Sequence, residues 1–323
     1  MRKNSAPKIV IVLLNWNGKK DTLECLASLE KVDYPHFQTI VVDNGSTDDS
    51  ISAIRASFPQ IPLFETKANL GFAGGNNVGI QWALEKRAEW ILLLNNDTTA
   101  APDFLTEFMN AAKEEPRAKI LGAKIFRSSD PDRIDHCGGY WNPQICEFES
   151  PAMNKLDDPY SFADMKQADY VCGAALLMHR SVPETIGLLE PKFFLFWEET
   201  DFCFRAKRAG FETWTAPKAR IWHKVSSSFT GGKPHMFYFW WRSRLLWLSR
   251  NCSPAERKQL YRSVILPDLF KLFRHTLVKS LLALFSSDPA RRQKSKRLRA
   301  GLQGVLDYCR GKFGNCPSWI TKK

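Results

Sequence analysis

Three times in its first hundred residues the chain runs through apolar, strand-forming side chains and stops on an amide or a carboxylate. The runs at 9–14, 40–42 and 90–94 end at Asn15, Asp43 and Asn95, with Asp97 two positions further on. Continuous Ile, Val and Leu runs of this kind suit strands covered on both faces, as in a parallel sheet. Helical segments are expected between them, over 21–29, 49–57 and 76–87, with a short strand at 63–65. This alternation predicts an α/β fold with a mainly parallel central sheet. Ligands of such sheets sit beyond the carboxyl ends of the strands, so three successive polar strand ends predict a site there. Further strands are expected at 122–126 and 170–178, and a hairpin or loop at 135–141, while Glu212–Ala216 leads on to Ala219–His223.

A second feature stands apart from the sheet. Phe193-Phe194-Leu195-Phe196-Trp197 runs directly into Glu198-Glu199-Thr200-Asp201, three carboxylates in four positions. Acids in so apolar a setting are costly to desolvate unless they are paired or used. One reading is a helix N-terminus, where the three acids meet the positive end of the dipole and the helix continues to 209. The other is an active-site carboxylate mounted at that helix start. The two are compatible.

Charge divides the chain. Residues 1–235 hold 27 basic and 30 acidic side chains, a net −3, whereas residues 236–323 hold 19 basic and 4 acidic, a net +15. The basic quarter points to a polyanionic partner. Within it Leu266, Leu269, Phe270, Phe273, Leu277, Leu281 and Phe285 recur at helical spacing, with Lys271, Arg274, His275 and Lys279 mostly between them. Six basic residues follow among the nine of 291–299. These features predict a helical, basic amphipathic extension over 236–323, appended to an α/β domain over 1–235 and suited to an anionic membrane surface. The aromatic run at 237–241 reads either as core or as a lipid-facing surface. No groove-reading module stands out, so nucleic acid is not the expected partner.

The eight cysteines include no Cys-x-x-Cys pair and read as reduced core residues. The apolar run at 9–14 is short for a signal segment, and no run approaches the roughly 18 apolar residues of a spanning helix. The expected location is cytoplasmic, peripheral on the inner face of the cell membrane.

Taken in order, six segments carry a resemblance: VIVLLNWNG (10–18), IVVDNGSTDDS (40–50), NLGFAGGNNVGI (69–80), ILLLNNDT (91–98), FFLFWEETDFCFRAKRAGF (193–211) and IWHKVSSS (221–228). Together they resemble the inverting, metal-dependent family 2 glycosyltransferases of the GT-A fold, and among them the rhamnosyltransferase-like branch. The resemblance spans residues 9–228 and extends more loosely to 248.

It implies a Rossmann-like GT-A domain that takes a nucleotide-diphosphate sugar, with dTDP-rhamnose the expected donor, and passes the sugar to a lipid-linked or cell-surface polysaccharide acceptor. On that resemblance Asn15 and Trp16 line the nucleotide pocket and Asp43 meets the base. Asn69, Leu70 and Gly71 pass along the nucleotide, and Asn76 or Asn77 lies near the sugar-phosphate. Asn95, Asn96 and Asp97 occupy the family's Asp-x-Asp positions. Asp97 and His223 are the implied ligands of Mg²⁺ or Mn²⁺, and Glu199 takes the place of the catalytic base, with Glu198 and Asp201 as alternatives or support.

The chain departs from the family pattern at three points. Asn95-Asn96-Asp97 carries one carboxylate where Asp-x-Asp carries two, Glu198-Glu199 replaces Glu-Asp, and Arg242-Ser243 stands where Arg-Asn is frequent. The single carboxylate also motivates an alternative, a non-catalytic sugar-nucleotide or glycan-binding protein of the same fold.

Overall fold

A computed structural model describes residues 6–224 and 232–321. The Val225–Ser228 end of the last motif and the final two lysines of the basic tail lie outside the described residues.

The first half is built from β1 (Ile9–Asn15), α1 (Lys19–Leu29), β2 (Phe37–Asp43), α2 (Ser50–Ser57), β3 (Leu63–Glu65), α3 (Gly71–Glu85) and β4 (Trp90–Asn95). There follow β5 (Thr98–Ala100), α4 (Phe104–Glu114), β6 (Ala118–Arg127), β7 (Asp130–His136), β8 (Tyr140–Asn142) and β9 (Glu147–Glu149). Next come β10 (Ala175–His179), α5 (Ser181–Ile186), α6 (Glu198–Arg208) and β11 (Glu212–His223). The last quarter is helical: α7 (Pro234–Asn251), then α8 (Pro254–Leu260), which continues through a π-turn at Tyr261–Ile265 into α9 (Leu266–Leu284), and finally α10 (Pro289–Cys309).

The main sheet runs β3-β2-β1-β4-β10-β6-β11-β5, with β7 added beside β6. Its first four strands are parallel, and β6 and β11 form a second parallel pair. Strand β10 lies antiparallel between the two groups. Side chains alternate along each strand, so β1 serves two cores. Ile9, Ile11 and Leu13 face α1, α2 and α4, whereas Val10 and Val12 face α3, α5 and α6. The three layers α/β/α thus follow from β-type runs that are apolar at every position.

Two segments differ from the expectation in informative ways. Helix α3 starts at Gly71, five residues before the expected 76. Its glycines are poor helix formers, but a Cβ at Gly79 would meet the side chain of Val12 and one at Gly75 that of Leu14. Close seating on the sheet overrides propensity. The expected strand 170–178 begins only at Ala175, because the Ala175 amide closes a turn onto the Cys172 carbonyl at 3.2 Å. That turn presents the Gly173 amide to α6.

Within the 237–241 aromatic run Tyr238, Phe239 and Trp241 are buried, whereas Phe237 and Trp240 are half-buried. Leu245, Trp247 and Leu248 share one apolar cluster with Cys146, Phe193 and Trp197. The division expected at 235 therefore falls between elements that share a core. Helix α4, whose Phe104, Leu105, Phe108 and Met109 fill the space under β11, was not anticipated.

Candidate active site

The parallel register aligns the three polar strand ends at one edge. Asn15 lies opposite Asp43, and Leu14 opposite Asn95. Asn15 is wholly enclosed and acts as the hub of this edge. Its amide donates to Asp43 Oδ1 at 2.7 Å and to Ser46 Oγ at 3.1 Å, while its Oδ1 accepts from Thr22 Oγ1 at 2.8 Å and from Asn96 at 3.4 Å. Asp43 is also buried and accepts the Ser46 amide at 2.9 Å. Buried polar groups satisfied in this way define one arrangement and resist repacking. Trp16 stands beside them at the mouth, 54% exposed.

The 69–77 segment is equally bound up with the edge. Asn69 Oδ1 accepts the Gly71 amide at 2.8 Å and the Asn44 amide group at 3.2 Å. Gly71 has a φ of +74°, and a Cβ there would collide with the Phe194 carbonyl, so this position takes only glycine. The Phe72 amide donates to that same carbonyl at 2.6 Å, joining the donor edge to the acidic stretch. Asn76 is buried and donates to the Phe72 carbonyl at 3.0 Å. Asn77, expected near a sugar-phosphate, is spent on structure instead: its side chain bonds both the carbonyl and the amide of Leu189.

Past β4 the chain turns, and Asp97 meets His223 from the end of β11, with Oδ1 3.1 Å from Nε2. The Asn95 side-chain amide lies 3.4 Å from the same nitrogen, and Asn96 donates to Thr22 Oγ1 at 2.8 Å. On the far side of the ring, Asp135 of β7 places a carboxylate oxygen 3.6 Å from Nδ1. Burial works against a charged imidazole here, yet the Asp135 and Asp97 carboxylates outweigh it and raise His223 to about 9. Asp135 escaped the sequence reading, which took 135–141 as a hairpin or loop. Only the pairing of β7 with β6 brings it to His223. Among the described residues no cluster of three metal-type side chains forms.

The acidic stretch is assembled by strain and held by its surroundings. Phe194, Phe196 and Trp197 all have φ between 64° and 71°, a left-handed region that bulky side chains enter at a cost. Helix α7 supplies the restraint. Ser243 Oγ donates to the carbonyls of Phe193 and Leu195 at 3.2 and 2.9 Å, and Arg242 donates to the Phe193 carbonyl at 3.3 Å. Phe194 stacks on Phe239 with ring centroids 5.0 Å apart, while Trp197 sits among Trp141, Phe148 and Trp247. Arg242-Ser243, one of the chain's departures from the family pattern, is thus the clamp on this loop.

The three acids that follow have different fates. Asp201 is buried and fully committed, bonded by Arg205 at 2.8 Å, Arg250 at 2.9 Å and Asn251 at 2.9 Å. Its oxygens are taken up by these partners, two of which come from the end of α7 and tie it to α6. Glu198 is enclosed, and burial together with the neighbouring Glu199 pushes it well above the usual carboxylate range. Glu199 remains partly open to solvent, while its Oε2 is buried and lacks a hydrogen-bond partner among the described residues. Burial raises Glu199 to about 7, offset in part by the backbone amides of Thr200 and Gly173. Two adjacent carboxylates in one apolar site do not both ionise readily, and both are raised above the usual carboxylate range.

The two halves of the site meet through β10. The Asn95 amide donates to the Ala174 carbonyl at 3.0 Å, and Gly173, the next residue back, faces Glu199. Glu199, raised to about 7, is thereby joined to Asn95 through Gly173 and Ala174. Elsewhere, a cavity of about 820 Å³ between α4 and the 157–165 loop contains none of these residues. A second, of about 470 Å³ and mainly apolar, opens beside Phe196 between α7 and α9.

A doubly covered α/β sheet thus carries an ordered polar edge and, joined to it, a carboxylate raised to about 7. Residues 9–186 match the family described as Glycosyl transferase family 2, and the chain belongs to that family. It is 25% identical over 281 residues to the N-acetylglucosaminyl-diphospho-decaprenol L-rhamnosyltransferase of Mycobacterium tuberculosis, covering 74% of this chain and 88% of that protein. It is 21% identical over 217 residues to the dTDP-rhamnosyl transferase RfbF of Shigella flexneri, covering 67% and 69%. In fold it is similar to the mannosyltransferase PcManGT from Pyrobaculum calidifontis, solved with GDP-Man and Mn²⁺. That likeness has a TM-score of 0.56 at 14% identity and covers 96% of this chain and 89% of that one. The S. aureus TarS 1–349 structure with UDP is similar at a TM-score of 0.52 and 16% identity, covering 94% and 87%. The GT-A-type architecture expected from the sequence is the observed one, and the chain is a rhamnosyltransferase-like glycosyltransferase.

Proposed function

We propose that this enzyme transfers L-rhamnose, with inversion, from dTDP-rhamnose to a lipid-linked precursor of a cell-surface polysaccharide. The observation that carries the transfer step is Glu199, raised to about 7 at the start of α6 and joined to Asn95 through Gly173 and Ala174. Its carboxylate takes the proton of the acceptor hydroxyl as that oxygen bonds to the anomeric carbon, and the nucleoside diphosphate leaves from the opposite face. Glu198, raised by burial and by the Glu199 charge, stands beside it.

Asp97 and His223 are the residues that would hold Mg²⁺ or Mn²⁺. Their donor types fit: Asp97 Oδ1 and His223 Nε2 lie 3.1 Å apart with the Asp135 carboxylate 3.6 Å behind Nδ1, and the imidazole would give up its proton on taking the metal. A bound divalent cation supplies Lewis-acid neutralisation of the leaving diphosphate. On this reading the nucleotide lies along Trp16, Asp43 and the 69–71 loop, with Asn15, Asn76, Asn95 and Asn96 shaping its bed.

Similarity to the M. tuberculosis and S. flexneri rhamnosyltransferases supports the rhamnosyl donor and a polyprenyl-diphosphate-linked acceptor. The apolar cavity beside Phe196, lined by Phe237, Trp240, Trp241 and Leu272, supports an acceptor with an apolar part. Residues 236–323 would bring the enzyme to an anionic membrane, on the cytoplasmic face; among the described residues no helix is long and apolar enough to cross one. The test is nucleoside-diphosphate release from a panel of sugar nucleotides, with Mg²⁺, Mn²⁺ or chelator and with polyprenyl-diphosphate acceptors. Turnover of dTDP-rhamnose above the other donors, abolished by chelator, is the expected result. Preference for another donor would overturn the rhamnosyl assignment, and full activity in chelator would overturn the metal role.

A further inference from the structure

Helix α9 is amphipathic in the reverse of the usual sense for a domain helix. Leu272 and Thr276 are its buried residues, whereas Leu266, Phe270, Phe273, Leu277, Val278, Leu281, Leu282, Leu284 and the following Phe285 are exposed to between 46% and 91%. Nine large apolar side chains in a span of twenty residues, open to solvent on one element, form a patch that needs a partner. Six of them, at 266, 270, 273, 277, 281 and 284, form one continuous stripe along the helix.

The surroundings of that stripe are basic. Over residues 266–299 the chain has nine Lys and Arg against Asp268 and Asp288, a net +7. Lys271 and Arg274 stand on α9 beside the stripe, and Arg291, Arg292, Lys294 and Arg299 are exposed on α10. A cleft between the two helices has Leu277, Leu281 and Leu284 along its floor and Arg292, Arg299 and Trp319 at its edge. Arg299 lies over the Trp319 ring at 5.4 Å. An apolar floor with a cationic, Trp-bearing rim matches the acyl and headgroup layers of a bilayer.

We infer that α9 lies in the plane of an anionic bilayer, its Leu266–Leu284 stripe among the acyl chains and the α10 basic residues at the headgroups. A second copy of this chain fits less well, since apposed faces would each bring +7. The inference goes beyond the transfer reaction and assigns the membrane contact to one helix face. It also fixes an orientation. Helix α7 packs on α10, with Tyr238 donating to Asp307 at 2.8 Å, and on its other side Ser243 clamps the backbone before Glu199. One helix thus ties the bilayer contact to the base, so that an acceptor anchored in the membrane meets a site held at fixed height.

The test is flotation of the full chain with vesicles of phosphatidylcholine alone or mixed with phosphatidylglycerol, at low and high salt, without donor or acceptor. The outcome is thereby separate from that of the transferase reading. The wild type is expected to float with the anionic vesicles and to be partly released by salt. The neutral variant Phe270→Gln/Leu277→Gln/Leu281→Gln should lower partitioning more than about tenfold. Arg291→Gln/Arg292→Gln/Lys294→Gln should weaken binding to anionic vesicles only. All these side chains are exposed, and unchanged circular dichroism and melting would certify folding. Wild type left in the soluble fraction, or the apolar variant floating as well as wild type, would overturn the inference. So would light scattering that showed a wild-type dimer dispersed by the apolar variant, because a second copy would then cover the face.

Discussion

The strand-end edge and the acidic stretch are both buried and polar, but they are stabilised in opposite ways. At the edge, Asn15 and Asp43 are satisfied by each other and by Ser46 and Thr22. In the acidic stretch, one carboxylate oxygen each of Glu198 and Glu199 is enclosed without a partner among the described residues. The first arrangement costs little and holds a fixed shape, as a binding surface requires. The second keeps a proton acceptor near neutrality at the expense of stability, and α7 must hold it in place. A group-transfer site needs both, a rigid bed for the donor and a base that is neither neutralised nor quenched.

Removing the base tests that contrast most sharply. Glu199→Gln should cut turnover by about 10²–10⁴-fold while leaving stability unchanged or raised, because it deletes an unpaired buried acid. Rates of nucleoside-diphosphate release and urea unfolding curves decide it; wild-type turnover would break the comparison. Asp201→Ala should do the reverse to stability. It strands Arg205 and Arg250, for a loss of about 3–5 kcal/mol read from the same unfolding curves.

Asp135→Asn should weaken Mn²⁺ binding in the presence of nucleoside diphosphate by about 10–100-fold, measured by calorimetry. Unaltered affinity would remove Asp135 from the edge. The pH profile follows from Glu199 at about 7. The ionised form is the base, so kcat/KM should rise about tenfold per pH unit below that value and level off above it. Ionisation also charges an enclosed carboxyl whose pKa is higher folded than unfolded, so its contribution to stability declines as pH rises through about 7. Ser243→Ala, the mildest change, should cost about 1 kcal/mol by freeing the Leu195 carbonyl, that of Phe193 being still held by Arg242. It should also lower turnover without altering donor affinity.

The edge was readable from sequence because its chemistry is local. Apolar runs that end on Asn15, Asp43 and Asn95 place those residues at one edge once the strands are parallel, and with both faces apolar it is the polar stop that marks the strand end. The acids of 198–201 were visible as a group, but their separate fates were not. Arg250 and Asn251, which commit Asp201, are some fifty residues away. Asp135 was out of reach for the same reason, since only its strand pairing joins it to His223.

By itself the sequence determined the α/β layering, the polar strand ends and the basic amphipathic character of the last quarter, since each depends on periodicity and neighbouring residue types. Tertiary structure alone decided which acid stays unpaired, which of the 237–241 aromatics are buried, and that α9 turns its apolar face outward. Those outcomes depend on what lies opposite a side chain in space, and periodicity reports only that a face exists.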